Sequence, residues 1–231
     1  MASNAVAVYC GSSMGTHKAF SDAARSLGHA IGTAKRQLVY GGGDKGLMGL
    51  VSGAVLEKGG KVTGIIPHAM VKGEDEKVKG YRVHLNEVGR EAIEHIVVGS
   101  MHERKVEMAK RVCGFFGLPG GFGTFEEVME VTTWTQLGIH NKPVILINTL
   151  GFYEPLRALV NNGIEFGFIQ PASRDLIVFV DGPTAHEEHE TFDWGAAALT
   201  ALANWKRDAG DGLFVWTENK EHKEIDPLQS T

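Results

Sequence analysis

The stretch VCGFFGLPGGFGTFEEV, residues 112–128, decides the fold. Val112, Cys113, Phe115 and Phe116 make an apolar run that passes through Leu118 and Pro119 into Gly120, Gly121, Gly123 and Thr124. Glu126 and Glu127 then stand side by side. A continuous apolar run, rather than an alternating one, fits a strand buried on both faces. Glycines followed by a helical pattern make the unit strand–turn–helix. The helix expected over residues 124–137 carries Val128, Val131 and Trp134 as a core stripe. Glu127 and Glu130 are spaced to share a face with Trp134.

The same unit recurs outward in both directions. Residues 6–10 (VAVYC) end in Gly11-Ser12-Ser13, and Phe20, Ala24, Leu27 and Ile31 follow at helical spacing. Residues 37–40 end in Gly41-Gly42-Gly43 and lead into a helix over 47–56. Residues 62–66, 143–147 and 176–180 add strands, and 153–162 and 196–205 add helices. A single helix is expected over 90–111, and a long polar loop over 68–89. Strands alternating with helices give an α/β fold, a doubly wound parallel sheet with helices on both faces. Right-handed crossovers bring the strand-to-helix loops to the carboxyl edge, where ligands bind in such sheets. The 30 glycines cluster at those loops, so they are not a low-complexity tract. One domain is expected over 1–205, with a polar tail over 206–231 in which residues 213–216 can dock.

Composition narrows the function. A chain of 231 residues that is 43% hydrophobic can bury a sizeable core. Its net charge of −5, without a basic run, argues against nucleic acid or a membrane surface as partner. No apolar run reaches the ~20 residues of a membrane span, and no leader pattern opens the chain, so a cytoplasmic setting is expected. Cys10 and Cys113 sit in strand-like runs and read as buried thiols in a reducing compartment.

The glycine loops suggest anion binding. Without side chains, a ligand can approach backbone N–H groups, and a helix N-terminus adds unpaired donors and partial positive charge. Gly120–Thr124 fits such a phosphate cradle, with the Thr124 hydroxyl as a helix cap or a donor to phosphate. The alternative is an ordinary capped glycine turn. Gly11-Ser12-Ser13-Met14-Gly15 is not the dinucleotide fingerprint, and no Gly-Lys-Ser/Thr signature is present. Glu126 and Glu127, expected in the first helical turn, suit the helix dipole, and Glu127 also falls at capping-box distance from Thr124. A carboxylate beside a phosphate site hinders anion binding, which points Glu127 at another part of the ligand. Upstream, MHERK at 101–105 lies on the expected 90–111 helix. Its arginine reaches the carboxyl edge only if that helix bends or a partner subunit supplies the site. His95 and His102 have no metal-ligand spacing, and no metal or cofactor is expected.

These motifs occur in order: VYCGSS (8–13), VYGGG (39–43), GLMG (46–49), MHERK, LPGGFGTFEEV and TWTQLGIHNKPV (133–144). Together they resemble the LONELY GUY family, the cytokinin-activating phosphoribohydrolases long misnamed lysine decarboxylases, over roughly residues 5–200. The family signature Pro-Gly-Gly-x-Gly-Thr-x-x-Glu is matched by Pro119, Gly120, Gly121, Gly123, Thr124 and Glu127. The resemblance implies a Rossmann-like single domain that hydrolyses the N-glycosidic bond of N6-substituted AMP to the free base and ribose 5-phosphate. It implies Glu127 and Arg104 as the catalytic pair and residues 120–124 as the phosphate loop. Gly11, Ser12, Gly42, Gly43, Met101, Lys105 and Glu130 are expected to help bind the nucleoside 5′-monophosphate. It also implies a homodimer with its active site at the subunit boundary. Residues 71–99 and the tail depart from the short plant pattern, which bears on substrate preference. The alternatives are a general AMP hydrolase, a non-catalytic nucleotide-binding module and a pyridoxal-phosphate decarboxylase. The last needs a Schiff-base lysine for which no sequence feature speaks.

Overall fold

The computed structural model describes residues 3–71, 90–207 and 212–214. Among these residues seven strands form one parallel sheet: β1 (Ala5–Tyr9), β2 (Leu38–Tyr40), β3 (Val62–Pro67), β4 (Ile93–Val98), β5 (Val112–Gly117), β6 (Val144–Ile147) and β7 (Ile177–Val180). Their order is β4-β3-β2-β1-β5-β6-β7. From β1 the chain winds outward through β2 and β3 to β4, then returns to lay β5, β6 and β7 on the other side. The reversal point therefore lies at the carboxyl ends of β1 and β5, where a crevice opens in sheets of this kind.

Strand alternation builds two cores. Val6 and Val8 face α1 (Lys18–Thr33), α2 (Gly46–Glu57) and α6 (Trp194–Asn204), packing with Leu27, Val51 and Trp194. Ala5, Ala7 and Tyr9 face α3 (Met101–Arg111) and α4 (Phe122–Leu137), packing with Val106, Val131 and Trp134. The expected stripe Val128, Val131 and Trp134 is buried here. Helix α5 (Glu154–Glu165) has no fully buried residue and packs on the second core through half-buried Leu156. Among the described residues, no helix is long and apolar enough to cross a membrane.

The helix expected over 90–111 is instead strand β4, a turn, and helix α3. Ile93, Ile96 and Val97 fall at helical spacing, which hides an edge strand made largely of β-branched residues. Ser100 breaks the pattern. Its hydroxyl accepts the Glu103 N–H at 3.0 Å, while the Glu103 carboxylate accepts the Gly99 N–H at 2.6 Å, which starts a new helix at Met101.

The polar loop begins as one short helical turn at His68–Met70 and Val71; its remainder, 72–89, lies outside the described residues. In the expected tail, Leu213 N–H donates to Gln136 O at 3.0 Å and Arg207 donates to Thr135 O at 2.5 Å. The tail thus docks on the last turn of α4. Residues 208–211 and 215–231 lie outside the described residues. Cys10 is buried, Cys113 is half-buried, and both are free thiols.

Candidate active site

Three strand ends converge on one cleft of about 370 Å³. The loop after β1 is tied to the loop after β5, with Gly11 N–H donating to Pro119 O at 3.0 Å. Helix α2 is tied to the first loop, with Met48 N–H donating to Gly11 O at 3.3 Å. Gly42 turns the second loop at φ +80°, the left-handed region that favours glycine, and packs against Ile66. Gly11, Ser12, Gly41 and Gly43 line one side of the cleft, and Gly121, Gly123 and Thr124 the other.

Helix α4 starts earlier than its sequence suggested. Gly121 is its N-cap, with no side-chain cap, so Thr124 lies inside the first turn rather than at the cap. Glu126 and Glu127 fall in the next turn, and the expected capping-box role of Glu127 does not arise. The first backbone N–H groups of α4 have no carbonyl within the helix to serve them, and they open on the cleft. The glycines divide by cause. A Cβ on Gly120 would strike Thr124 Oγ1 at 2.1 Å and Gly11 N at 2.9 Å, so packing requires glycine there. A Cβ on Gly121 or Gly123 would meet nothing within 4 Å, and neither position has a positive φ. Among the described residues no contact accounts for those two glycines, and the bare amides there leave room for a ligand to approach.

Arg104 and Glu127 meet at the base of the cleft. Arg104 Nη2 donates to Glu127 Oε1 at 2.8 Å, and both residues are buried. Both come from the same chain. Because α3 begins afresh after β4, its first turn sits at the carboxyl edge without a bend or a partner subunit. Gly41 makes room for the arginine, since a Cβ there would lie 2.4 Å from Arg104 Nη2. Arg104 Nη1 lies 3.8 Å from Met101 Sδ, and Arg104 Nε is buried without a partner among the described residues. Burial pushes the Glu127 carboxyl up to about 7; Arg104 pulls it down, and Glu126 adds to the rise.

The remaining expected site residues stand behind this pair. Lys105 Nζ bridges Glu126 Oε1 at 2.5 Å and Glu130 Oε1 at 2.8 Å. Lys105, Glu130, Met101, Pro119, Gly120 and Gly42 do not line the cleft itself, whereas Gly11, Ser12, Gly43, Gly121, Gly123, Thr124, Arg104 and Glu127 do. Gly41, from the glycine cluster expected at this edge, also lines it, and sequence reading missed Cys10, Asp44, Lys45, Met48, Met70 and Phe122 as lining residues. Phe122 was legible as the variable position of the glycine motif. Met70 had no local signal. A larger depression, about 780 Å³, lies between α1 and residues 190–193. Its Arg25 and His29 pair with Glu57, and no buried ion pair faces it.

Residues 48–189 match a family model described as "Possible lysine decarboxylase". The chain is 46% identical over 182 residues to cytokinin riboside 5′-monophosphate phosphoribohydrolase LOG5 of Arabidopsis thaliana, covering 79% of this chain and 74% of that protein. It is 45% identical to the LOG3 protein of the same plant, covering 79% and 78%. The molybdenum cofactor carrier protein of Chlamydomonas reinhardtii shares the fold at a TM-score of 0.55 and 20% identity, covering 84% of this chain and 94% of that one. That likeness extends to the fold alone. The chain belongs to the family of this model, whose similar curated members are named cytokinin riboside 5′-monophosphate phosphoribohydrolases.

Proposed function

We propose that the protein hydrolyses the N-glycosidic bond of N6-substituted adenosine 5′-monophosphates, releasing the free base and ribose 5-phosphate. The observation that carries this reading is the Arg104–Glu127 pair at the base of a glycine-walled cleft, beside the open N-terminus of α4. The relatives' names supply the substrate class.

The nucleotide's phosphate sits on the amides of residues 121–124, which fixes the ribose below it. As the C1′–N9 bond stretches, positive charge grows on C1′ and the ring oxygen. Glu127 stabilises that charge and takes a proton from the attacking water, whose oxygen bonds to C1′. The bonding electrons leave with N9, and the departing base takes up a proton. A carboxyl held near 7 is matched to this duty, because it both accepts and returns a proton near neutral pH. Arg104 keeps Glu127 oriented through Nη2, and its unpartnered Nε is free to bond the substrate. Lys105, Glu126 and Glu130 form the charged layer that surrounds the pair.

A homodimer is part of the same proposal. Its support is apolar surface near the cleft: Phe122 is 91% exposed, and Phe125, Met129 and Met101 are exposed as well.

The test is product release from N6-isopentenyl AMP, AMP and the unphosphorylated riboside. The proposal expects base and ribose 5-phosphate from the first, faster than from AMP, and little from the riboside. Equal rates on AMP would support the general AMP hydrolase instead. Binding without turnover would leave only a nucleotide-binding module.

A further inference from the structure

Lys45 is the N-cap residue of α2, with extended backbone at φ −110° and ψ 162° and no side-chain capping bond. A lysine has no acceptor with which to cap a helix, and its charge opposes the positive end of the helix dipole. The first turn of α2 carries no acidic residue to offset that repulsion. The residue therefore weakens the helix start where Ser, Thr, Asp or Asn would strengthen it. Lys45 is exposed and lines the cleft beside Asp44, and no carboxylate among the described residues pairs with its ammonium group. The neighbouring cations are already engaged. Arg104 is held by Glu127, and Lys105 by Glu126 and Glu130. The buried Arg104 Nε, without a partner among the described residues, is a second donor left over at the same cleft. The cleft thus gathers the open end of α4, the end of α2 and one unneutralised lysine, a field suited to a dianion.

We infer that Lys45 is the cation that reads the substrate's phosphate, placed across the cleft from the glycine amides of α4, and that it sets the preference for a nucleoside 5′-monophosphate over the nucleoside. This rests on the phosphate placement proposed above. The amides of residues 121–124 shape the site for a tetrahedral oxyanion but carry no full charge, and the Arg104 guanidinium is engaged by Glu127. Lys45 supplies the missing full charge.

Calorimetric titration with ribose 5-phosphate tests this without turnover. The substitution Lys45→Met is expected to weaken binding roughly ten- to a hundred-fold, the range of a charge-assisted hydrogen bond. Lys45→Arg is expected to restore most of it. Added salt is expected to weaken binding to the wild-type protein more than to Lys45→Met. With N6-isopentenyl AMP, the loss is expected in KM. Lys45→Met binding ribose 5-phosphate as tightly as wild type, or a wild-type protein that does not bind it, would overturn the inference. A wild-type protein that binds ribose 5-phosphate yet releases no base from the nucleotide would overturn the proposed reaction, and the calorimetric comparison would still decide the role of Lys45.

Discussion

Glu127 combines two demands that oppose each other. Removal from water favours its neutral form, while Arg104 at 2.8 Å favours the carboxylate. Burial wins, which places the carboxyl at about 7. The proposed base needs the ionised form, so kcat for the nucleotide is expected to fall below pH 7 along an acid limb with its midpoint near 7. Lys105 is one of the cations holding Glu127 down. The substitution Lys105→Met is therefore expected to move that limb to higher pH, and an unmoved limb in the pH–rate profile would show that the two charges are uncoupled. The glycines yield a second prediction at this scale. Gly123→Ala places a methyl in open cleft and a better helix former in the first turn of α4. It is expected to stabilise the fold by about 0.5–1 kcal/mol while raising KM. Gly120→Ala drives a methyl into Thr124 and is expected to destabilise. Chemical denaturation alongside steady-state kinetics separates the two.

At the scale of elements, the placement of Arg104 depends on where α3 begins. Ser100 stops β4 from running on and aims the first turn of α3 at the carboxyl edge. Ser100→Ala is expected to cost about 1 kcal/mol, the usual worth of such a cap, read as a lower urea midpoint. It is also expected to lower activity, because Arg104 lies in the turn that the cap fixes. Strand β5 and helix α4 were legible in the sequence because an apolar run, a glycine turn and a buried stripe agree there. The boundary between β4 and α3 was not, because Ile93, Ile96 and Val97 satisfy helical spacing while they sit in a sheet edge. The capping box formed by Ser100 and Glu103 marks that boundary in the structure. The pair Arg104–Glu127 was legible as two motifs. Their contact was not, since they stand 23 positions apart in the chain with strand β5 between them. Lys45 and Asp44 were missed because the direction of a loop residue depends on the backbone, here on Gly46 at φ +59° packed against Ser12.

At the scale of the whole molecule, the reversal of strand order puts the ends of β1 and β5 side by side and leaves room above them. Every residue proposed to act on the substrate hangs from the strand ends around that point. The exposed apolar side of α4 suits a second copy of the chain. Light scattering is expected to give twice the 25.0 kDa of one chain, and Phe125→Glu to return a monomer. A wild-type monomer would remove the dimer from the account. The central claim is narrower, that the buried carboxylate of α4 drives cleavage of the glycosidic bond. The most direct measurement is base release from N6-isopentenyl AMP by Glu127→Gln, whose circular dichroism first establishes that it is folded. The account predicts a loss of at least about two orders of magnitude in kcat. Release at the wild-type rate would contradict it.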